Sequence, residues 1–406
     1  MQYAKEQVKQ LQQQYGSPLY CFCADEFAAN YKEFVDCFQA QYPNYRLAYS
    51  FKTNYTPAIC QLVKMLGGYA EVVSDMELEL AQRLGFEAPY IIYNGPGKGP
   101  RVWEHLKNGG IVNVDSLDEL RGVCQFARQH PGQQFAIGIR SNIEVGQPFV
   151  SRFGIDADSD ELVQAAELIQ ATENLTLAGL HCHVSQARGI ESWAKRTRWM
   201  LGLADRLFEA PPKYLDFGSG MYGKMADSFA NQFSGVPTYQ EYAQVTASVV
   251  AEHYAQHEQK PLLFTEPGTT VINKYVDFIT RVVAIKHIRG KCFIVTDGSA
   301  HNLGEVCKLK KLPVERIRNS ASDTLCENAD IVGYTCLEHD VMYSGFTGPI
   351  GVGDYLVFGN VGGYSNVSKP PFIHPNCAMI QLHDDHSSRL IKRPETLDDI
   401  FGTYIF

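Results

Sequence analysis

The sequence lacks a long apolar run and a marked excess of basic residues. None of its apolar runs approaches the roughly 20 residues that a helix needs to cross a membrane. The formal net charge is −9, whereas a nucleic-acid surface needs clustered Lys and Arg. The one basic cluster, at 308–311, is typical of a solvated loop. The N-terminal segment 1–16 mixes acidic, basic and amide side chains and does not form a secretory signal. We therefore expect no membrane segment and no nucleic-acid partner.

The signs of a disulfide framework are also missing. The eleven cysteines are odd in number and follow no repeated spacing. We expect reduced thiols that mostly lie in the core, as in a cytoplasmic protein. The hydrophobic share of 45% with 20% charged residues is ordinary for a globular chain, so a sizeable core is expected.

Eight short apolar runs alternate with helical patterns along the first two thirds of the chain. The runs lie at residues 46–51, 69–73, 90–94, 111–114, 135–140, 175–184, 214–217 and 262–266. The repeated switch from a period of 2 to one of 3.6 is typical of βα units around a parallel sheet. Ser74 with Glu77, and Ser116 with Glu119, fit the capping box that begins a helix. Eight such units predict an α/β fold with a (β/α)8 TIM-like barrel over residues 24–270.

The rest of the chain predicts β structure. Residues 18–23 and the segments 271–288, 291–297, 355–359 and 379–383 are rich in Val, Ile, Phe and Tyr. Residues 1–15 are expected to be helical and to stop at Gly16. Because a barrel begins cleanly only near residue 24, we expect residues 1–23 and 271–406 to form a second, C-terminal β domain of the sandwich or barrel type.

Residues suited to chemistry lie at or just after the C-terminal end of nearly every run. In a TIM-like barrel these ends form one face, where the βα loops converge. We therefore interpret the set as one cofactor site. Its members are Lys52, Ser74, Asn94, Arg140, His181, His183, Gly218, Ser219, Gly220 and Glu266.

Lys52 is the member of this set with the most direct chemical role. A buried ammonium group must be paired or lose its proton, and the neutral amine is a nucleophile toward an aldehyde. Taken alone, a lysine that ends a strand is more often a side chain that extends to solvent. The other strand ends favour the nucleophile.

Two further features favour a phosphorylated cofactor that carries a ring. The glycines of 218–220 would let the backbone approach a phosphate, which barrels commonly bind after strands seven and eight, although a plain turn also explains them. Glu266 ends the eighth run, and a buried carboxylate there needs a cationic partner, such as the pyridine nitrogen of pyridoxal phosphate. A position at a helix N-terminus, or a salt bridge to Arg140, is the alternative explanation of Glu266.

His181 and His183 end the sixth run two residues apart. Alternation along a strand sends both side chains to one face. Two histidines can ligate zinc, but no third ligand run of suitable spacing accompanies them. We expect a core or ring-stacking role and no metal.

Eight motifs, spread over nearly the whole chain, form an ordered set. They are Tyr49-Ser-Phe-Lys52-Thr-Asn, Val73-Ser-Asp-Met-Glu77-Leu, Ser151-Arg-Phe-Gly154-Ile, Gly179-Leu-His-Cys-His183, Asp216-Phe-Gly-Ser-Gly220, Glu266-Pro-Gly268, Cys336-Leu-Glu-His-Asp340 and Gly362-Gly-Tyr364. As a set they resemble the fold-type III pyridoxal-phosphate amino-acid decarboxylases, the group of diaminopimelate, ornithine and carboxynorspermidine decarboxylases. The resemblance implies an alanine racemase-like barrel and pyridoxal 5'-phosphate as the cofactor.

The resemblance also implies a role for each matching residue. Lys52 would bind the cofactor covalently, His183 would stack on its ring, and Glu266 would hold the pyridine nitrogen. The expected phosphate and further cofactor contacts are Ser185, Gly218, Ser219, Gly220, Gly268 and Tyr364. The expected substrate contacts are Arg140, Thr269, Glu338, Asp340 and Tyr364. Cys336 would return a proton to the product carbanion, and in relatives it is delivered from the second subunit of a homodimer.

Three positions depart from the family pattern. Thr269 stands where relatives that act on diaminopimelate or ornithine carry Arg, and Leu337 stands where they carry an acidic residue. Glu338 follows Leu337, but an extended strand would turn it to the opposite face. Val184 and Ser185 lack the Gly that usually separates them. The sequence therefore does not name the substrate.

Together these features predict pyridoxal-phosphate-dependent decarboxylation of an amino acid, or of an amino-acid moiety of a larger metabolite, in a cytoplasmic homodimer with shared sites. An amino-acid racemase on the same barrel is one alternative. Such racemases tend to pair the pyridine nitrogen with Arg, so Glu266 favours the decarboxylase. A non-catalytic cofactor-binding relative is a second alternative, against which Lys52 and Cys336 both argue.

Overall fold

The structure, a computed structural model, describes residues 3–406. The chain divides into two compact units. The barrel unit contains Asn30–Gly223 and Gly235–Thr270. The sheet unit contains the described N-terminal residues up to Ala29, together with Lys224–Ser234 and Val271–Phe406.

The secondary structure is as follows in chain order. The strands are β1 Leu19–Cys23, β2 Tyr45–Ser50, β3 Tyr69–Val72, β4 Ile91–Tyr93, β5 Ile111–Val114, β6 Phe135–Asn142, β7 Ile155–Asp156, β8 Leu175–His181, β9 Tyr214–Asp216, β10 Leu262–Thr265, β11 Val276–Ile288, β12 Lys291–Thr296, β13 Val314–Ile317, β14 Thr324–Val332, β15 Val341–Ile350, β16 Tyr355–Phe358, β17 Ala378–Leu382 and β18 Ser388–Lys392. The α-helices are α1 Lys5–Tyr15, α2 Ala24–Gln41, α3 Pro57–Met65, α4 Asp75–Arg83, α5 Val102–Lys107, α6 Leu117–Arg128, α7 Asp160–Gln170, α8 Ile190–Leu207, α9 Asp227–Ala230, α10 Tyr239–Val245, α11 Ala247–His253, α12 Thr269–Ile272, α13 Val306–Leu309 and α14 Leu397–Phe401. Short 3-10 turns lie at Phe51–Thr53, Ala88–Tyr90, Asn273–Tyr275 and Ala300–Asn302.

Eight parallel strands close into a barrel in the barrel unit. Their order is β2, β3, β4, β5, β6, β8, β9 and β10, and β10 pairs again with β2. The short strand β7 adds to the side of β6. Apolar side chains on both faces of these strands explain the continuous apolar runs, because helices cover the outside of such a barrel. The predicted (β/α)8 barrel is confirmed.

Several strands end earlier than the apolar runs predict. The run at 175–184 continues past the end of β8 at His181, and β10 ends at Thr265, one residue before Glu266. The last residues of these runs therefore lie in βα loops. In barrels of this type the βα loops at the C-terminal ends of the strands form the ligand site. His183 and Glu266 therefore lie where a ligand site is expected.

The two predicted capping boxes differ from the structure in one bond. Ser74 accepts a hydrogen bond from the N–H of Glu77 at 3.2 Å, as expected. In a capping box the Glu77 carboxylate would accept from the N–H of Ser74. Here it accepts from the N–H of the preceding residue, Val73, at 2.8 Å. Ser116 and Glu119 repeat this arrangement. Each cap still satisfies two free N–H groups at the helix start.

The sheet unit is built on a nine-stranded mixed sheet. Its main order is β15, β14, β12, β11, β1, β17 and β18, with β16 beside β11 and β13 beside β16. Strand β1 is antiparallel to β11 and parallel to β17. Val8 and Leu11 of α1 join Leu19 and Ile380 in its core, so the predicted N-terminal helix packs on this sheet.

Two segments differ from the sequence-based expectation. The predicted strand at 271–288 begins only at Val276, because α12 and a 3-10 turn occupy the residues before it. The first residues of α2 belong to the sheet unit and not to the barrel unit, since Phe27 packs on Phe22 and Tyr275 with ring centroids 5.5 and 6.3 Å apart.

The segment Lys224–Ser234 also belongs to the sheet unit. The side chain of Gln232 donates to the carbonyl of Lys311 at 2.8 Å, and the N–H of Lys311 donates back to that side chain at 2.9 Å. The pattern of Gly and Pro residues in the sequence does not predict that this segment leaves the barrel unit. Across residues 3–406, no helix combines the length and apolar character that a membrane crossing requires.

Candidate active site

Lys52 lies in the 3-10 turn that follows β2. Its Nζ atom donates to Oε2 of Glu71, in β3, at 2.5 Å, and Ser50 Oγ donates to the same oxygen at 2.6 Å. The Lys52 side chain is 29% exposed, whereas Glu71 is 1% exposed. The ammonium group therefore meets a buried carboxylate at the mouth of the barrel.

Asn94, which follows β4, connects two buried carboxylates. Its Nδ2 atom donates to Glu266 Oε1 at 2.5 Å and to Glu71 Oε1 at 3.3 Å. Its Oδ1 atom accepts from Asn113 Nδ2 at 2.9 Å, and Asn113 Oδ1 accepts from the hydroxyl of Tyr214 at 2.6 Å. This chain of hydrogen bonds fixes which end of the Asn94 amide faces the carboxylates.

Glu266 faces both histidines of the sixth run. Its Oε2 atom lies 3.3 Å from Nε2 of His181 and 3.7 Å from Nδ1 of His183, as the alternation predicts. Burial alone would raise the pKa of Glu266, but the histidines and the charge of Lys52 outweigh it and hold the pKa well below its usual range. Glu266 is therefore an anion, and its close partners are an amide and two imidazoles.

The imidazole of His183 is neutral at physiological pH. Burial, supported by the nearby charge of Lys52, lowers the pKa of His183 to about 4 against the opposing pull of Glu266. Its Nδ1 atom accepts a hydrogen bond from the N–H of Ser219 at 3.2 Å, which requires that nitrogen to be unprotonated. A neutral ring held in one orientation is suited to stacking.

Asp216, at the end of β9, is a site residue that the sequence analysis did not select. Its Oδ1 atom accepts from the N–H of Gly218 at 2.9 Å. Burial, and then the charge of Glu266, raise the pKa of Asp216 well above its usual value. Donor atoms of His181, Asp216 and Glu266 lie within 4.8 Å of one another. Sequence spacing does not predict this group, because Asp216 ends β9 and Glu266 follows β10.

The glycines of the 218–220 loop are explained by close packing on the segment after β8. Gly218 has a φ of +57°, and a Cβ atom there would lie 2.3 Å from the carbonyl oxygen of Cys182. Gly220 has a φ of +101°, and its Cβ atom would lie 2.1 Å from the carbonyl oxygen of Val184. Backbone of the neighbouring loop thus requires glycine at both positions, independently of any phosphate.

Arg196, in α8, holds this loop and also escaped the sequence analysis. It is fully buried, and its guanidinium group donates to the carbonyls of Phe217 at 2.9 Å, Ser219 at 2.8 Å and Val184 at 2.8 Å. It also lies 4.0 Å from the ring centroid of Trp193. A buried cation is costly unless it is compensated, and here carbonyl oxygens turn toward it. The only sequence signal was an arginine on the apolar face of a helix.

Arg140 and Gly268 have structural partners. Arg140 is paired with Asp115 at 3.1 Å in the described structure, so the salt bridge to Arg140 that would have been an alternative explanation of Glu266 is not found among the described residues. A Cβ atom at Gly268 would lie 2.0 Å from Oγ1 of Thr53, next to Lys52, which explains this glycine by packing.

Three other predicted residues complete the barrel unit. Ser74 caps α4, Ser185 is exposed after β8, and half-buried Thr269 begins α12.

The remaining predicted residues lie in the sheet unit. Cys336 and Glu338 are both exposed in the turn that follows β14, while Leu337 between them is half-buried. The segment is therefore not the extended strand that was expected to turn Glu338 away. All eleven cysteines lie among the described residues, and Cys336 is the only one of them that is exposed. Exposure is a property that reactive thiols share.

Asp340 anchors this turn. Its Oδ1 atom accepts from Ser299 Oγ at 2.9 Å and from the N–H of Ala300 at 2.7 Å. Its Oδ2 atom accepts from the Oγ1 and N–H of Thr335 at 2.7 and 3.2 Å. With 3% exposure and both oxygens engaged, Asp340 is better explained by a structural role than by the predicted substrate contact.

Tyr364 lies in the loop after β16 in a left-handed backbone conformation, with a φ of +54°. This conformation is costly for a bulky residue and is found most often at functional sites. Its side chain is 41% exposed, so the phenol is available for a ligand. Ser368 Oγ donates to its carbonyl at 2.6 Å and fixes the loop.

Comparison with known families decides between the possible barrel proteins. Residues 27–273 match the pyridoxal binding domain of the pyridoxal-dependent decarboxylases, and residues 212–362 match their C-terminal sheet domain. The first match alone covers more than half of the chain. The chain belongs to the pyridoxal-dependent decarboxylases. Its cofactor is therefore pyridoxal 5'-phosphate, and its reaction class is that of a carboxy-lyase acting on an amino acid.

Individual relatives agree along nearly the full length. The diaminopimelate decarboxylase of Aquifex aeolicus (strain VF5) is 26% identical over 97% of this chain and 93% of its own. That of Pseudomonas fluorescens is 25% identical over 96% and 93%. A crystal structure of diaminopimelate decarboxylase from M. jannaschii in co-complex with L-lysine has a TM-score of 0.85 at 22% identity, covering 98% of this chain and 94% of that chain.

The residues of the barrel mouth fit this cofactor. Lys52 offers an amine, Glu266 a carboxylate that lacks a permanent cation among its hydrogen-bond partners, and His183 a neutral ring. Among the described atoms, Nδ1 of His181 and Oδ2 of Asp216 are buried without a hydrogen-bond partner. A buried polar atom without a partner calls for an explanation in a folded protein, and a bound ligand is one such explanation.

Proposed function

We propose that this decarboxylase removes the α-carboxylate of an amino acid, or of an amino-acid moiety of a larger metabolite, at the mouth of the barrel. The observation that carries the proposal is the hydrogen-bonded set of Lys52, Glu71, Asn94 and Glu266, which lie within or just after the adjacent strands β2, β3, β4 and β10. Pyridoxal phosphate supplies an aldehyde that reacts with amines and a ring that accepts the electron pair left on the α-carbon when CO2 departs.

Lys52 is the residue that we assign to covalent attachment of the cofactor. An amine must lose a proton before it can act as a nucleophile. Glu71 Oε2, at 2.5 Å from Lys52 Nζ, is placed to receive that proton and to return it. Because Ser50 donates to the same oxygen, the carboxylate is held toward the amine.

Glu266 is the residue that we assign to the pyridine nitrogen. An anion at this position keeps that nitrogen protonated, which strengthens the ring as an electron acceptor. Asn94 and His181 hold one carboxylate oxygen each, so the carboxylate keeps its orientation. The ring of His183 is the proposed stacking partner. Gly218, Ser219 and Gly220, with Ser185, Gly268 and Tyr364, are the proposed phosphate and further cofactor contacts.

We further propose that Cys336 returns a proton to the product, that it does so in the site of a second subunit, and that the enzyme is a cytoplasmic homodimer. Its exposure supports a thiol that is offered to another surface. Ten other cysteines, mostly buried and none bridged in the described structure, support a reducing compartment. Thr269, Glu338 and Tyr364 remain the proposed substrate contacts, whereas Arg140 and Asp340 are reassigned to structural pairs.

The test is a screen of amino acids for CO2 release by the purified chain saturated with pyridoxal phosphate. Release that is lost in Lys52→Ala supports the proposal. Inversion at the α-carbon without CO2 release would favour the racemase alternative. Cofactor binding with neither reaction, across amino acids and conjugates, would favour the non-catalytic alternative.

A further inference from the structure

Cys292 and Cys326 lie in contact in the core of the sheet unit. Cys292 belongs to β12 and Cys326 to β14, and these two strands pair in parallel. Their Sγ atoms are 2.7 Å apart, and the residues are 5% and 1% exposed. The pair is separate from Cys336, whose turn follows the other end of β14.

The backbone beside Cys326 is irregular. The register between β14 and the edge strand β15 shifts between Cys326 and Ala329, and Asn328 has a φ of +48°. Such irregularities interrupt the hydrogen-bond ladder and occur often near sheet edges. Local opening of an edge is the route by which a small molecule reaches a buried thiol.

An imidazole lies next to the pair. His287 is the cross-strand neighbour of Cys292 in β11 and is exposed. One of its ring nitrogens and the two sulfur atoms lie within 4.8 Å of one another. An imidazole at this distance can accept the proton that a thiol loses when it reacts.

This cluster fits a dithiol better than a zinc site. Two thiolates on one tetrahedral zinc ion, with Zn–S bonds of about 2.3 Å, stand roughly 3.8 Å apart. A disulfide has an S–S bond of about 2.05 Å, which is nearer to the observed separation. The observed separation of 2.7 Å is too short for shared ligation, and the cluster offers three ligands where a closed structural site has four.

We propose that Cys292 and Cys326 form a reversible disulfide by exchange with a low-molecular-weight disulfide. The Cys292 thiolate attacks one sulfur of the disulfide and releases the first small thiol. The Cys326 thiolate then attacks Sγ of Cys292 and releases the second. Two protons leave the protein thiols, and their two electrons reduce one small disulfide to two thiols.

The order of attack follows from the environment. Cys292 is the more exposed of the two and is the direct neighbour of His287. Burial, and then the neighbouring Cys292, raise the pKa of Cys326 to about 12, so its thiol is protonated at neutral pH. The reaction should therefore accelerate as the pH rises, since the thiolate is the reacting form.

The disulfide would fix two strands that together carry the turn of Cys336. At their C-terminal ends, Thr296 Oγ1 donates to the carbonyl of Val332 at 3.2 Å and the N–H of Tyr334 donates to the carbonyl of Gly298 at 3.0 Å. Near the N-terminal ends of β12 and β14, the Cys292–Cys326 pair is the corresponding contact between the two strands. We expect oxidation to raise the melting temperature of the sheet unit by roughly 5 to 10 °C, because it joins two residues that are 34 positions apart in the sequence.

The experiment uses the full chain with its cofactor. The protein is equilibrated at pH 8 with mixtures of reduced and oxidised glutathione, quenched with acid, alkylated after denaturation and mapped by mass spectrometry. The expected result is one peptide pair joined through Cys292 and Cys326, reversed by dithiothreitol and accompanied by the rise in melting temperature. Cys292→Ser and Cys326→Ser should each remove both effects. Cys307→Ser, a half-buried cysteine of the same unit, should keep them.

Two results would overturn the inference. One is the absence of the joined peptide from the wild-type chain under excess oxidised glutathione, including samples held in urea just below the unfolding transition, where access is not limiting. The other is retention of one zinc ion per chain through gel filtration, lost in His287→Ala, which would make the cluster a metal site. Both measurements are independent of decarboxylation.

Discussion

Lys52 and Glu71 form an ion pair, 2.5 Å long, that joins the end of β2 to the interior of β3. A second such pair lies nearby in the sequence, between Lys98 and Glu119 at 2.8 Å, with the Lys98 side chain 2% exposed. Burial lowers the pKa of Lys98, against the pull of Glu119. Burial and pairing are therefore common to both lysines. What separates them is that the partner of Lys52 also bonds to Asn94, and through it to Glu266.

We predict that borohydride reduction of the coloured protein places the cofactor adduct on Lys52. Peptide mapping identifies the modified residue. Lys52→Arg should lose the adduct, because a guanidinium does not react with the aldehyde, whereas Lys98→Arg should retain it. An adduct on another lysine, or none after saturation with pyridoxal phosphate, would show that the site is assigned to the wrong residue.

Lys52 and Glu266 could be selected from the sequence because each follows an apolar run, and strand ends meet at one face of a barrel. Glu71 and Asn113 could not, since they lie inside strands and their inward direction depends on register. A charged residue in an otherwise apolar strand was the available signal for Glu71, because such a residue needs a partner. The identity of that partner is a tertiary property.

Arg196 yields the second prediction. Its three carbonyl contacts hold the 217–219 backbone and Val184 in place, on either side of the proposed phosphate site. We expect Arg196→Met to weaken binding of pyridoxal phosphate by about 10- to 100-fold, since hydrogen bonds to a charged group contribute about 1.5 to 3 kcal/mol each. Binding of pyridoxal, which lacks the phosphate, should change little. Absorbance titration measures both affinities.

The matched control is Arg198→Met, an exposed arginine on the same helix, which should leave both affinities unchanged. An equal loss of affinity for pyridoxal and pyridoxal phosphate in Arg196→Met would contradict the prediction. It would mean that the arginine supports the fold of the barrel mouth as a whole and not the phosphate loop.

Glu77 provides a prediction about pH. Burial raises the pKa of Glu77 to about 7, with a smaller contribution from Glu71, and outweighs the bond from the N–H of Val73. A carboxyl whose pKa is higher in the folded protein gives full stability below its unfolded pKa and loses it as the pH rises through the folded value. Glu77→Gln should therefore match the wild type at pH 5 and exceed it at pH 8, by up to about 3 kcal/mol.

Thermal unfolding at the two pH values is the measurement. The matched control is Glu119→Gln at the equivalent cap, which should destabilise at both pH values because it removes the ion pair with Lys98. The same difference between Glu77→Gln and the wild type at pH 5 and pH 8 would show that titration of Glu77 does not limit stability.

The sheet unit was the harder part to predict. Strands β13, β14, β15 and β18 were missed because polar residues and glycines interrupt their alternation. The turn of Cys336 was assumed to be extended, yet the carboxylate of Asp340 folds it by accepting from Ser299, Ala300 and Thr335. Ser299 and Ala300 lie 41 and 40 residues away from Asp340 in the sequence, so these two contacts leave no local pattern.

Shared sites give the fourth prediction. If Cys336 serves the site of the other subunit, an inactive Lys52→Ala chain mixed with an inactive Cys336→Ala chain should regain part of the activity, because hybrid dimers hold one intact site. Decarboxylation is assayed before and after mixing. Subunit exchange is followed separately with labelled chains. Exchange without any recovery would place both residues in the same subunit's site.

The last prediction concerns specificity. Thr269 and Leu337 stand where decarboxylases of diaminopimelate and ornithine are expected to carry a cation and an anion. Each of those free amino acids would bury a distal charge without its usual partner, and an unpaired buried charge costs several kcal/mol. We therefore predict that both are poor substrates, by roughly 10⁴-fold or more relative to the true one.

The measurement is steady-state kcat/KM on lysine, ornithine, arginine, diaminopimelate and carboxynorspermidine, with Leu337→Asp as the informative variant. If the missing anion limits recognition of the distal amine, Leu337→Asp should improve turnover of ornithine and lysine, while Val341→Asp, outside the turn, should not. Efficient turnover of free diaminopimelate or ornithine by the wild type, at about 10⁴ M⁻¹s⁻¹ or above, would contradict the prediction. Thr269 or the 336–340 turn would then supply the missing contacts in another way.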